Sequence, residues 1–338
     1  QMIEVARAFT VTREPLRLVI LDEPTSSLDS QRAGQLLSYV RRVVAAGASC
    51  ILISHLLGEV LEHSDRIVVM RDGNVVAAAP AAAFDRDKLV AAMGATARQQ
   101  RAETEKTAQR HRTAPVCVRA RPKRQQDGTE LVARDGEVIG LAGLSGHGQT
   151  ELLLRIFNGA SHRTHGIEVA RPVALIAGDR QSDGIFPLWS IAENIGIGSL
   201  ARLRDRFLIS RAREDELAAA WQKRIQIRTP DIRNNILSLS GGNQQKALFA
   251  RALGSDARIL LMDDPMRGVD IATKLEIYAL IREEARAGRT FLWYTTETEE
   301  LENCDHVYVF RNGRIVADLG RGELTEEKVI QSSFQEAG

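Results

Sequence analysis

The sequence predicts an α/β fold built around a mostly parallel sheet. Three features carry that prediction. Short unbroken apolar runs read as strands buried on both faces, amphipathic stretches between them read as helices, and one passage reads strand, glycine-rich loop, helix.

In chain order, QMIEVARAF (1–9) has helical apolar spacing. LVILDEPTSSLD (18–29) follows, with four aliphatic residues running into Asp22 and Glu23, as a buried strand does when it ends at a catalytic edge. ILISH places His55 just after another strand. The stretch from 96 to 114 is polar and weakly patterned, and its charges read as a solvated linker. EVIGLAGL (137–144) is an apolar run entering a glycine-rich turn, and TELLLRIF (150–157) then takes helical spacing. LSLSGGNQQK (237–246) opens a helix. ARILLMDD (257–264) and RTFLWYTT (289–296) are short continuous strands, and TKLEIYALIREEARAG (273–288) between them is an amphipathic helix with a glycine stop.

Composition narrows the class. The 338 residues are 44% hydrophobic and 26% charged, and the formal net charge is +1. That balance offers no electrostatic case for a nucleic-acid partner. No apolar run reaches the roughly 18 residues a membrane helix needs, and no signal peptide is visible. The expected location is the cytoplasm, or a membrane reached through another protein. Cys50, Cys117 and Cys304 lie far apart without metal-ligand spacing, as expected of core or surface residues in a reducing compartment.

Self-comparison shows a tandem repeat. LVILDEPTSSLD matches ILLMDDPMRGVD (259–270), residues 50–77 match 291–317, and QMIEVARAF matches QKALFARAL (245–253), all at an offset of about 240 to 244 residues. By that offset the counterpart of GLSGHGQT (143–150) would precede Gln1, so the first copy is expected to lack its front, as a fragment of a longer polypeptide or by natural truncation.

GLSGHGQT has the spacing of a phosphate loop, G-x-x-x-x-G-K-[ST], with Gln149 in the place of lysine. Gly143, Gly146 and Gly148 would let backbone N–H groups converge on phosphate oxygens at a helix N-terminus, and Thr150 would offer its hydroxyl to Mg²⁺. Gln149 can donate a hydrogen bond but brings no charge, which predicts weaker nucleotide binding. Ser240, Gly241 and Gly242 present a hydroxyl and N–H groups to an anion. Asp263 would hold Mg²⁺ through water. Asp264 stands where a water-polarising Glu is expected and is one methylene short, so hydrolysis there should be slow. The first copy keeps Asp22 and Glu23 as the full pair, and His55 can contact a γ-phosphate where the second copy has Thr296. The other six histidines, His147 included, carry no assigned role.

With LSGGNQQK, the D-D-P-x-R-G-V-D run and WYTTETEELENCDHVYVFRNGRI on the page, the chain resembles the ATP-binding cassette (ABC) family. More narrowly it is similar to double-cassette ATPase subunits of bacterial importers for ribose, galactose, xylose and related sugars. The resemblance covers essentially the whole chain. It implies P-loop NTPase cassettes in tandem, the first truncated: residues 1–95 as the C-terminal part of cassette one, 96–114 as linker, and 115–338 as a complete but degenerate cassette two. It implies ATP and Mg²⁺, head-to-tail cassette pairing, membrane permease subunits, and a periplasmic or extracellular solute-binding protein. It also implies a peripheral place on the cytoplasmic face of the bacterial membrane.

By the family's logic one site combines Asp22, Glu23 and His55 with Ser240, Gly241, Gly242 and Gln245. The other uses Gly143 to Thr150, Asp263, Asp264 and Thr296, mainly for binding. Ser27 to Asp29 and Gly268 to Asp270 match the loop that couples the two sites. AGDRQSDGIF (177–186) matches the segment that senses the membrane subunit, with Gly178 where the family often shows an acid. No aromatic upstream of Gly143 stands out for stacking on adenine. The resemblance implies an ATPase powering monosaccharide uptake. A nucleoside or other small-solute importer stays open as an alternative, as does a non-hydrolysing nucleotide-binding module. A soluble tandem-cassette protein acting in translation fits the near-neutral charge and the sugar-type signature less well. This exact polypeptide is expected to show negligible ATPase by itself.

Overall fold

The computed structural model describes residues 17–25, 30–54, 56–71, 74–92, 113–170 and 172–334. The chain divides into two compact units, 1–102 with 270–272, and 103–269 with 273–338.

In the first unit, β1 (Leu18–Asp22) is followed by α1 (Ser30–Ala45) and β2 (Ser49–Ile53). β1 and β2 pair in parallel, from Leu18 opposite Ser49 to Asp22 opposite Ile53. Alternation along β1 buries Val19 and Leu21, which pack with Leu36 and Val40 of α1. Then come α2 (Leu57–His63), β3 (Arg66–Arg71), β4 (Asn74–Pro80) and α3 (Arg86–Ala92). β3 and β4 form an antiparallel hairpin, and Ile67 and Val69 pack with Leu57 and Leu89.

The second unit begins with β5 (Val116–Ala120), β6 (Leu131–Arg134), β7 (Val138–Ala142), α4 (Gln149–Gly159), β8 (Ile167–Val169) and β9 (Val173–Ile176). A π-helical turn at Arg180–Gly184 precedes α5 (Ile191–Gly196), α6 (Leu200–Leu203), β10 (Arg204–Asp205), β11 (Leu208–Ile209), α7 (Arg211–Arg224) and α8 (Gly241–Gly254). The unit ends with β12 (Ile259–Asp263), α9 (Ile271–Arg286), β13 (Thr290–Tyr294), β14 (His306–Arg311), β15 (Arg314–Gly320) and α10 (Glu326–Phe334).

The main sheet runs β15-β14-β7-β13-β12-β9 and is parallel except for the β14–β15 edge. β6-β5-β8 form a second, antiparallel sheet. α4 and the small sheet cover one face of the main sheet through Leu152, Leu153, Ile156, Leu131 and Ala133. α5, α7, α8 and α9 cover the other. Every residue of β7 and β13 is buried, which is why those strands read as unbroken apolar runs. α5 starts with a capping box: Ser190 Oγ accepts from Glu193 N, and Ser190 N donates to Glu193 Oε2 at 2.7 Å.

The predicted strands and helices of the second copy are all present within a few residues of their expected limits. The helix expected over QMIEVARAF, His55, Ser27 to Asp29 and most of the expected linker lie outside the described residues. Among the described residues no helix is long and apolar enough to cross a membrane.

Candidate active site

The second unit's site is built where β7, β12 and β13 end side by side. β7 delivers the chain into the glycine-rich loop, and α4 leaves it at Gln149. Gly143, Gly146 and Gly148 have φ of 119°, 81° and 105°. Side chains rarely adopt that region, so the turn needs glycine. Space adds to the demand: a Cβ on Gly143 would lie 2.3 Å from the Phe310 carbonyl oxygen. Around Gly146 the space is open. Gly148 precedes α4 without a side-chain cap, so an anion can sit where the first turn's N–H groups point.

Thr150 Oγ donates to Asp263 Oδ1 at 2.7 Å, joining the mouth of the loop to the end of β12. Burial raises the Asp263 carboxyl, and the Thr150 hydrogen bond opposes that shift. A hydroxyl and a carboxylate oxygen this close, beside a phosphate loop, suit Mg²⁺, which takes few protein oxygens and fills its shell with phosphate and water. Among the described residues no cluster of three or more acidic, His or Cys side chains offers a full protein cage.

Two residues expected to face the nucleotide are buried, Gln149 and Gln245. Gln149 is 1% exposed, and its Nε2 donates to the carbonyls of Ala142 and Leu144, both at 3.2 Å. Both amide hydrogens are therefore used in bracing the loop from inside. Gln245 is 2% exposed within α8, and its Nε2 has no hydrogen-bond partner among the described residues. Ser240, Gly241 and Gly242 do open α8. The Ser240 hydroxyl does not cap its own helix but accepts from Asn243 Nδ2 at 2.9 Å, which leaves first-turn N–H groups for an outside acceptor.

Asp264 follows β12 with φ of 47°, and its N–H donates to Tyr294 O at 2.8 Å. Thr296 holds the carboxylate: its hydroxyl donates to Oδ2 at 3.2 Å and its N–H to Oδ1 at 3.4 Å. Burial is the first cause of the raised Asp264 pKa, with the Thr296 bonds pulling the other way. In the first unit Glu23 has φ of 45°, and its N–H donates to Ile53 O at 2.8 Å. Asp22, just before it, is exposed at the end of β1.

Other groups at the site were not singled out from sequence. Lys274, 1% exposed, pairs with Glu297 at 2.6 Å and with Glu300 at 3.1 Å, beside Thr296. Thr295 Oγ and Tyr278 OH also donate to Glu300, at 2.7 and 3.1 Å. A lysine on the buried side of an amphipathic helix, opposite ETEELE, was the available signal. Tyr294 ends β13 next to Ser145 and the two carboxylates, and burial raises its phenol.

The segment 177–186 is held to α8. Arg251 donates to Gly184 O and Asn194 O, both at 2.6 Å, and lies over Phe186; burial pushes its guanidinium down to about 10. Gly178 has a steric reason in this backbone, since a Cβ would come 2.6 Å from Asp263 O.

The ABC transporter family model matches residues 127–267. A ribose import ATP-binding protein of Rubrobacter xylanophilus is 37% identical over 98% of this chain and 68% of its own length. A xylose import ATP-binding protein of Yersinia pseudotuberculosis is 33% identical over 99% of this chain and 70% of its own. The chain thus spans about two thirds of the length of these relatives. Among solved structures, the fold is similar to a dimeric ATP-binding cassette in a post-hydrolysis state with ADP and Pi (TM-score 0.51, 19% identity, 61% of this chain, 99% of that one). It is also similar to an ABC transporter cassette in its ADP conformation (TM-score 0.52, 20% identity, 66% and 100%). A glycine-rich loop, a carboxylate ending β12 beside it and an open signature helix thus sit in a chain that, by these matches, belongs to the ABC transporter family of ATP-binding proteins.

Proposed function

We propose that this chain is the ATP-binding and ATP-hydrolysing subunit that drives import of a monosaccharide through separate membrane permeases supplied by a solute-binding protein. The observation that carries the nucleotide part is the 2.7 Å bond between Thr150 and Asp263 at the mouth of the glycine loop. The sugar class rests on relatives named for ribose and xylose import.

In this reading the loop from Gly143 to Gly148 surrounds the phosphates, and Thr150 and Asp263 hold Mg²⁺, which when bound neutralises phosphate charge. Asp264 contributes little to hydrolysis because Thr296 holds it and it is short of reach. Asp22 and Glu23 serve the hydrolytic site, with Glu23 as the base that orients water; in-line attack needs positioning and charge neutralisation above all. Cassettes pair head to tail, so Ser240, Gly241 and Gly242 meet a nucleotide held by another cassette's loop. The subunit works at the cytoplasmic face of the membrane, and the segment 177–186 transmits nucleotide state to the permease.

Two measurements test this. The chain should bind a fluorescent ATP analogue in a Mg²⁺-dependent way, and Thr150→Ala or Asp263→Asn should weaken that binding about tenfold. Deleting the gene should abolish uptake of one among ribose, xylose and galactose. Unchanged uptake of all three with lost nucleoside uptake would replace the monosaccharide reading.

A further inference from the structure

The hairpin formed by β10 and β11 is the most exposed apolar feature of the second unit. Phe207 is 97% exposed and Leu208 77%, with Ile209 and Leu200 also on the surface. A single exposed apolar residue is ordinary, but a cluster at a projecting tip is not. The tip is also built on a firm base. Arg204 pairs with Ile209 and Asp205 with Leu208. Ser210 N donates to Leu203 O at 2.9 Å, and Leu203 itself is 3% exposed. Arg213 donates to Arg204 O at 2.7 Å. Arg206 takes φ of 53° at the turn, just before the exposed Phe207.

Basic side chains predominate around this tip, with Arg202 lying 4.0 Å from Asp256 and Arg213 3.9 Å from Asp205. Residues 200–213 hold Arg202, Arg204, Arg206, Arg211 and Arg213 against Asp205 alone, in a chain whose net charge is +1. All five arginines are exposed. The next acids, Glu214 and Asp215, face Arg233, so they do not offset the cluster. An apolar tip ringed by guanidinium groups matches the boundary of an anionic bilayer. There, aromatic and aliphatic side chains enter the acyl edge and arginines stay with the phosphates.

We infer that the hairpin at Arg204–Ile209 is a membrane-surface contact that inserts Phe207 and Leu208 into the headgroup boundary of anionic phospholipid. One small hairpin is a weak anchor, so this contact supplements docking on a permease and sets the orientation of the second unit against the bilayer. The inference rests on the proposed function only in that the chain works beside a membrane.

Flotation of the full chain with vesicles tests it. Binding is expected to phosphatidylcholine containing about one third phosphatidylglycerol, and little to phosphatidylcholine alone. Phe207→Asp with Leu208→Asp, or Arg204→Glu with Arg206→Glu, should each reduce the bound fraction about tenfold. High salt should weaken wild-type binding. All these positions are exposed and outside the nucleotide site, so ATP-analogue binding and thermal melting should stay at wild-type values. Failure to bind anionic vesicles, equal binding to neutral ones, or undiminished binding by the variants would overturn the inference. Binding only to vesicles containing the permease, lost in the variants, would overturn it in favour of a protein contact. Any of these outcomes with ATP binding intact leaves the proposed function standing.

Discussion

The ends of β1 and β12 are the same construction with different chemistry. Asp22 lies opposite Ile53 and Asp263 opposite Tyr294, both in parallel pairs. The following carboxylates take φ of 45° at Glu23 and 47° at Asp264, and each N–H bonds across to the next strand at 2.8 Å. A left-handed backbone at an acidic residue costs energy, and it recurs at both strand ends. The backbone device was kept; the side chains were not. In the second unit the carboxylate is shorter and tied to Thr296.

The support behind each strand end differs too. Glu59 in the first unit accepts from Thr25 Oγ at 2.8 Å and Ser54 Oγ at 3.3 Å. Its counterpart Glu300 keeps the hydroxyl partner, now Thr295, but adds Lys274, whose counterpart on α1 is Ala33. The half-buried Glu59 is thus held by two hydroxyls, whereas the buried Glu300 takes two hydroxyls and a buried ammonium, and losing the ammonium is costlier.

These contrasts define experiments. The largest effect should come from Lys274→Ala, which removes the buried ammonium that faces Glu297 and Glu300 and should destabilise the second unit by about 3 kcal/mol in denaturant unfolding. Thr25→Ala in the first unit should cost about 1 kcal/mol. Equal losses would erase the distinction between the two supports. A smaller gain should follow Gln149→Lys, which restores charge to the loop and should tighten ATP binding about tenfold. Unchanged affinity would show that loop geometry, not charge, limits binding.

The smallest effect is in pH dependence. Burial pushes the Glu137 carboxyl up from 4.5 to about 7. The folded state therefore holds a proton that the unfolded state has released, so the contribution to stability is full below about 4.5 and is lost as pH rises through about 7. Glu137→Gln should flatten that part of the melting-temperature profile. An unaltered slope would assign it to other groups.

Much of the second unit was legible because its strands are buried on both faces and its turns need glycine. ARILLMDD and RTFLWYTT could hardly be anything but central strands, and the φ values at Gly143 and Gly148 follow from the loop spacing. The repeat offset likewise located Glu23 opposite Asp264. What could not be read were properties that depend on three-dimensional neighbours. Residue type does not say that Gln149 turns inward to Ala142 O and Leu144 O, or that Gln245 is buried within α8. Nor does it say that an acidic residue adopts positive φ. The capping box at Ser190 and Glu193 was readable from SIAE. The hairpin around Phe207 was not, because an apolar residue in a short strand is ordinarily expected to be covered.

The central claim is that hydrolysis belongs to Glu23 and not to Asp264, and steady-state ATPase of the assembled transporter tests it directly. Glu23→Gln should lower turnover about 100-fold, while Asp264→Asn should change it less than about twofold. Comparable losses from the two substitutions, or a larger loss from Asp264→Asn, would contradict the account.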